Sequence, residues 1–484
     1  MDEIKEFIKQ RSDKLDKIRQ AGVTPYPTKF SDFLSAKELA ASYQEGKKVR
    51  VCGRLTAFRA HGKSIFCDIK GEDGKIQIYL NQDVLGAEKF KFFKDFIDIG
   101  DIIGADGELF KTRTGELTIK VTEYHLLSKA LRPMPEKWHG LKDVEIRYRK
   151  RYLDLIANED VKKIFCARIK TITKIREFFD SRGYLEVETP IMHPIPGGAA
   201  GKPFKTHHEA LGVDLYLRIA PELYLKRLLV GGFEKIYEIN RSFRNEGIST
   251  RHNPEFTMME SYTAYANYED VMKLTEDLIR FVAKEVLGKE EIEYQGKVID
   301  FKKWERISFA ELMKDTFGIL PTDSEKVWLK KLKDKDIKIE SGELSRTQLL
   351  NIIAELIEPK AESNPVFITD MFTELCPLAK ANKDNPLISE RFELFVGGME
   401  IANAYSELND PIEQRKRFEV EKKASAAGKR EFDEDFVQAL EYGMPPAGGL
   451  GLGVDRLVML LTNSASIREV IFFPQLRPEK QNTE

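Results

Sequence analysis

Between Lys48 and Leu127 the chain reads as five short β-rich runs separated by glycine-containing turns: KVRVCGRL, SIFCDIKG, KIQIYLN, GDIIGADGELF and GELTIKVTEYHLL. A helix-compatible stretch, VLGAEKFKFFKDF, falls between the third run and the fourth. Ahead of the runs, Ile4, Phe7, Ile8, Leu15 and Ile18 lie close to one face of a helix expected over residues 2–20, with Gly22 as its stop. The opposite face carries Lys5, Lys9, Arg11, Lys14, Lys17 and Arg19, a solvated surface or a contact for RNA phosphates. Pro25 and Pro27 break this pattern, and a proline-marked connector, LSKALRPMPEKWHGLKD, follows the last run. Beyond about Val144, long helices mix with strands without regular alternation. That argues for a mixed or antiparallel sheet and against a doubly wound parallel one.

Five strands with a helix between the third and fourth is the ordering of an OB-fold barrel, a fold that commonly binds oligonucleotides. The 484 residues are enough for two or three domains. The expected architecture is α+β and multidomain: a helical extension over 1–47, the barrel over 48–127, a linker over 128–143 and a second domain over 144–484. Lys and Arg total 77 against 79 Asp and Glu, so no global basic excess announces a nucleic acid, although local patches steer RNA as well as net charge does. The four cysteines, Cys52, Cys67, Cys166 and Cys376, form no CxxC pair, which argues against a disulfide framework or a zinc site and suits a reducing compartment. The charged N-terminus, MDEIKEFIKQRSDK, is no signal peptide, and no apolar run approaches the roughly 20 residues that span a bilayer. A soluble, cytoplasmic protein without a membrane partner is expected. There is no GxxxxGK[ST] phosphate loop, and GGLGLGVDR lacks the GxGxxG spacing of a dinucleotide fingerprint.

Three segments carry chemistry. In SRGYLEVETPIM, Gly183 ends a helix, a short strand follows and Pro190 closes it. In RSFRNEGISTRHNPEFTMMESY, a strand containing Ile236, Tyr237 and Ile239 delivers Arg244 and Glu246 into a polar loop, and the chain returns through Phe256, Met258 and Glu260. Two residues apart, Arg244 and Glu246 are expected on one face of a strand. An arginine fork suits a phosphate, a glutamate an amine, and an aromatic ring the face of a base. In GGLGLGVDRLVMLL, a glycine-rich strand runs into a helix that starts with Asp455 and Arg456, where small residues permit close approach of backbone and ligand. Taken singly, each segment is also a common structural device: a helix–strand junction, a surface ion pair, a packing strand.

Together and in this order, the three segments resemble motifs 1, 2 and 3 of the class II aminoacyl-tRNA synthetases, and the preceding barrel places the resemblance in subclass IIb. The stretches IPGGAAGKPF, APELYLKR, MEIANAYSELNDP and HGLKDVEIRYRKRYLDLI look like the lysyl enzymes, over about Lys48 to Pro478. The departures are small: Ala200 and Gly201 in the GGAAGKPF loop, and Ala447 before Gly448. The rival readings are an aspartyl or asparaginyl synthetase and a catalytically silent RNA-binding paralogue. The pair Glu222 and Glu407 argues against the first, and retention of Arg244, Arg456, Glu393 and Glu400 against the second.

The resemblance implies activation of lysine by ATP, transfer to the tRNA for lysine codons, Mg²⁺ as cofactor and a homodimer. It implies that Arg244 binds the α-phosphate and that Phe256 stacks on adenine. Arg456 would pack on the other face of the base and reach the γ-phosphate, with Glu246 near the adenine amino group and His252 and Asn253 helping to hold the nucleotide. Glu393 and Glu400 match the family's metal ligands, hard oxygens suited to Mg²⁺ on phosphates, with Glu393 also counted in the ATP site. Glu222 and Glu407 resemble the carboxylates that receive the substrate ε-ammonium, completed by Tyr262, Asn403 and Tyr405; Glu260 and the Gly198 backbone would hold the α-amino group. In the barrel, Arg59, Phe66, Gln77 and Glu116 match positions that read anticodon bases, although Phe66 is also a plausible barrel-core residue.

Overall fold

A computed structural model describes residues 2–134, 141, 143–199, 201–337, 344–357, 364–424 and 432–479. Ala200, singled out above, and part of the expected linker lie outside the described residues. The chain divides into two compact units, one ending at Leu141 and one beginning at Lys142.

In the first unit the strands β1 (Lys48–His61), β2 (Ser64–Lys70), β3 (Lys75–Asn81), β4 (Ile102–Lys111) and β5 (Leu117–Ser128) close a barrel in the order β1-β2-β3-β5-β4. Period-two alternation drives it. Ile65, Cys67 and Ile69 of β2 and Ile76, Ile78 and Leu80 of β3 point inward and are buried, while the residues between them face outward. The expected helix between β3 and β4 is broken into Gln82–Leu85 and Ala87–Phe96, because Gly86 sits between them at φ 84°. Residues 2–20 are helical, yet their basic face is not uniformly solvated. Arg11 is buried and donates to the carbonyls of Ala130 and Ile99, and Lys14 pairs with Asp98 at 2.7 Å. Ile18 and Leu39 enter the barrel core, so the N-terminal helices pack as part of this unit.

The second unit is built on an eight-stranded sheet. Its strands are β6 (Leu185–Glu186), β10 (Lys235–Phe243), β11 (Glu255–Ala264), β14 (Glu305–Ser308), β15 (Val366–Thr369), β16 (Arg391–Val396), β17 (Met399–Ser406) and β18 (Ala447–Gly453). The intervening strands β7 (Met192–His193), β8 (Lys205–His208) and β9 (Val213–Leu217) make a small sheet of their own, and β12 (Glu291–Tyr294) and β13 (Lys297–Asp300) a hairpin. The order in the large sheet is β14-β15-β16-β17-β18-β11-β10-β6, antiparallel except at its two edge pairs. One face is dry: Met259, Phe392, Leu394, Ala402, Ala404, Leu450 and Leu452 pack with the helix Tyr268–Leu287, whose buried residues recur at helical spacing. The helices Phe309–Phe317, Glu325–Lys333 and Arg346–Leu356 enclose a separate core around Trp328. Among the described residues, no helix is long and apolar enough to cross a membrane.

Candidate active site

The other face of the large sheet carries the site, and β18 is its floor. Along this strand Leu450 and Leu452 turn to the core, so Gly449, Gly451 and Gly453 turn the other way. Strand register then sets the neighbours. Gly449 lies between Tyr262 of β11 and Tyr405 of β17, and Gly451 between Glu260 and Asn403, with Glu393 of β16 beyond Asn403. A Cβ at Gly449 would meet Glu407 Oε1 at 2.0 Å and Tyr262 Cε1 at 2.7 Å, so the space above the floor already belongs to those side chains.

Three carboxylates and two tyrosines converge there, at one end of the floor. Glu222 opens the helix Glu222–Val230; its Oε1 accepts from the Tyr405 hydroxyl at 2.6 Å and from Lys226 Nζ at 2.7 Å. Glu407, 1% exposed, also contacts Lys226 Nζ, yet among the described residues its buried Oε1 has no hydrogen-bond partner. Glu260 accepts from the Tyr262 hydroxyl at 3.2 Å, and burial together with the charge of Glu222 pushes its carboxyl up to about 8. Burial also raises Glu407 and holds both tyrosine hydroxyls in their neutral, donating form. Gly198, at φ 87°, runs close enough that a Cβ would press on Glu222 Cβ at 3.2 Å. The seven residues expected to hold lysine therefore fall on these elements: Gly198, Glu222, Glu260, Tyr262, Asn403, Tyr405 and Glu407.

Cations gather at the other end. Arg244 stacks over the Phe256 ring, 5.1 Å from its centroid, and among the described residues its buried Nε has no hydrogen-bond partner. Arg456 Nη1 donates to the Glu400 carbonyl at 2.6 Å and approaches Glu400 Oε2 at 3.4 Å, while Nη2 reaches His252 Nε2 at 3.2 Å. Burial and then Arg456 hold His252 below its ordinary value, so Nε2 accepts that bond. Asp455 fixes the start of the helix Val454–Leu461, which carries Arg456, by accepting from Arg168 and from the Thr257 amide. Glu393 takes a 2.7 Å bond from Arg391, and burial, outweighing Arg391, pushes it up to about 7, with Glu400 adding to the rise.

The structure corrects one expectation. Arg244 and Glu246 do not share a strand face: β10 ends at Phe243, and the Glu246 amide turns back to the Arg244 carbonyl at 2.8 Å, leaving Glu246 exposed in the loop. Asn253 is buried, with Nδ2 donating to the Glu255 carbonyl and Oδ1 accepting from the Gln475 amide, so it braces the loop end. Two further residues join the site without having been expected there. Lys226 stands inside APELYLKR, and its one signal in the sequence is the i, i+4 spacing from Glu222. Arg391, two residues before Glu393 on one strand face, ties Glu393 to Asn403 Oδ1 and to Cys376 Sγ.

On the barrel, Phe66 faces outward rather than into the core. Arg59 pairs with Phe66 in register, Phe66 lies 4.7 Å from the Tyr79 ring, and Tyr79 lies 6.2 Å from Phe110. Gln77 Oε1 accepts from Thr118, whose hydroxyl also lies 3.1 Å from the Glu116 carbonyl, and Arg59 pairs with Asp68. Arg59, Phe66, Gln77 and Glu116 thus border one aromatic and polar face.

The family of tRNA synthetases class II (D, K and N) matches residues 143–477, and the OB-fold nucleic acid binding domain matches residues 49–127. The chain is 52% identical to the lysine–tRNA ligase of Carboxydothermus hydrogenoformans, across 98% of this chain and 99% of that one. It is 50% identical to that of Moorella thermoacetica across 97% and 98%, and 49% identical to that of Thermotoga maritima across 99% and 97%. A barrel with an outward aromatic face, an antiparallel sheet with acidic and cationic ends, and likeness along nearly the whole length lead to one conclusion: the chain belongs to the class II tRNA synthetases, among the lysine–tRNA ligases.

Proposed function

We infer that the chain activates L-lysine with ATP, releasing pyrophosphate, and transfers the lysyl group to the tRNA for lysine codons. The observation that carries this reading is the buried carboxylate of Glu407 with an unpartnered oxygen, at the acidic end of a floor whose other end is cationic. A buried carboxylate oxygen left without a donor costs about 1–3 kcal/mol, which an incoming ammonium would recover. The lysine carboxylate is already ionised and attacks the α-phosphate without a general base. The protein's part is to bring two anions together in line and to offset their charge. Arg244, stacked over Phe256, takes the α-phosphate, while Phe256 and Arg456 bracket the adenine. Glu393 and Glu400 suit Mg²⁺, being hard-oxygen donors on neighbouring strands, with burial and then the charge of Glu400 raising Glu393 against the pull of Arg391. The ion, when bound, would neutralise phosphate charge. Transfer takes place in the cytoplasm.

The two units divide the work. Lysine, and not aspartate or asparagine, should support ATP–pyrophosphate exchange without tRNA. Phe66→Ala should leave that exchange near wild type and lower kcat/KM for tRNA about tenfold, as loss of a stacking contact worth about 1–3 kcal/mol implies. Gln77→Ala and Glu116→Ala should relax discrimination among anticodon bases. Exchange supported by aspartate would sink the assignment, and folded barrel variants that charge normally would remove the barrel from anticodon reading.

The active form is a homodimer that includes the segment Tyr184–Pro190. Leu185 within it and Ile191 and Met192 just after it expose large apolar side chains, which favour burial against a partner. Light scattering should give a dimer; a fully active monomer at micromolar concentration would overturn this.

A further inference from the structure

Lys226 is the fully buried ammonium of the acidic end, 0% exposed. Its Nζ contacts Glu222 Oε1 at 2.7 Å and Glu407, and it lies 5.4 Å from the Tyr405 ring and 6.0 Å from that of Phe436. We propose that Lys226 is a resident counter-ion which sets the charge of the lysine pocket and so determines its preference for a single cationic side chain. This rests on the reading of Glu222 and Glu407 as the ε-ammonium site.

Two carboxylates this close cannot both stay ionised in a dry site without a cation, and one would take a proton instead. Lys226 supplies the cation from behind, on the same helix as Glu222 and one turn away. It offsets one negative charge of the pair; burial still raises Glu407, whose buried Oε1 has no donor among the described residues. A substrate ammonium at that oxygen completes an alternating set of two carboxylates and two ammonium groups with no net charge. A neutral or acidic side chain leaves the set unbalanced. Burial opposes the charge on Lys226, but Glu222 and Glu407 outweigh it and hold the ammonium above its ordinary value. Glu260, Tyr262 and Tyr405 face the same set, with Arg244 acting on Glu260 and Arg391 on Tyr405.

The test compares wild type with Lys226→Met, Lys226→Gln and Lys226→Arg in lysine-dependent ATP–pyrophosphate exchange between pH 6.5 and 8.5. The neutral variants should raise KM for lysine about tenfold or more while KM for ATP stays within about twofold. Without Lys226 a proton competes with the substrate ammonium for the carboxylate pair. The ratio of variant to wild-type KM should therefore fall as pH rises. Taking the ratio to wild type divides out the titration of Glu260, the tyrosines and the substrate. Lys226→Arg keeps the charge and should hold the ratio flat. Lys226→Gln retains a hydrogen-bond donor toward the carboxylates and covers a methionine variant that fails to fold. A flat ratio in a folded neutral variant, KM for lysine within twofold of wild type, or loss of fold in the glutamine variant as well would each overturn the proposal. A wild-type enzyme that did not use lysine would instead overturn the reading of the pocket itself.

Discussion

Glu407→Gln should raise KM for lysine about 30-fold or more and leave KM for ATP nearly unchanged, since truncating one partner of a buried charge pair costs about 2–5 kcal/mol. The amide has the same shape, so the fold is kept while the charge goes. Two groups lose by the change: the substrate ammonium at Oε1, and Lys226, which falls back on Glu222 alone. Glu222→Gln should act in the same direction, with the Tyr405 hydroxyl losing its ionised acceptor as well. Steady-state exchange with lysine and ATP varied separately checks both. An unchanged kcat/KM for lysine in both variants would remove these carboxylates from the pocket.

Arg244→Ala should act on the other kinetic constant. Its fork is assigned to charge that develops at the α-phosphate, and loss of one such donor lowers kcat by about 10²–10³. Arg244 lies just beyond β10, and among the described residues its Nε has no hydrogen-bond partner, so its removal breaks no bond at that atom. A lysine side chain would not restore the rate: Arg244→Lys keeps the charge but loses the planar fork that both stacks on Phe256 and presents paired donors. Single-turnover formation of lysyl-adenylate measures the step directly. A rate within threefold of wild type would show that Arg244 serves only to support the Phe256 ring.

The barrel was legible because period-two alternation and the position of one helix are local signals, present in β2 and β3 residue by residue. The large sheet was legible only as mixed or antiparallel, since its order joins β18 to β11 across most of the unit and no local pattern encodes that pairing. The site residues were legible through resemblance, and their places follow from register: Glu260 and Gly451 come from strands far apart in sequence, and Asn403 and Glu393 from a consecutive pair between them. What stayed hidden depended on burial. A Glu and a Lys four apart read as a solvated helix pair, and nothing in APELYLKR says that Lys226 is dry. The strand reading of Arg244 and Glu246 failed for a related reason. A spacing of two implies one face only while the backbone stays extended, and here it turns at Glu246.

The alternation along β18 bears on how errors enter translation. One strand floors both the acidic and the cationic end, and β11 and β17 are locked to it on either side. A slip of one residue would turn Leu450 and Leu452 toward the ligands and Gly449 and Gly451 toward the core. Amino acid and nucleotide would lose their places in the same event. Damage to this strand therefore silences the enzyme instead of widening its choice, and a cell carrying such a lesion faces a shortage of charged tRNA rather than a supply of tRNA bearing the wrong residue.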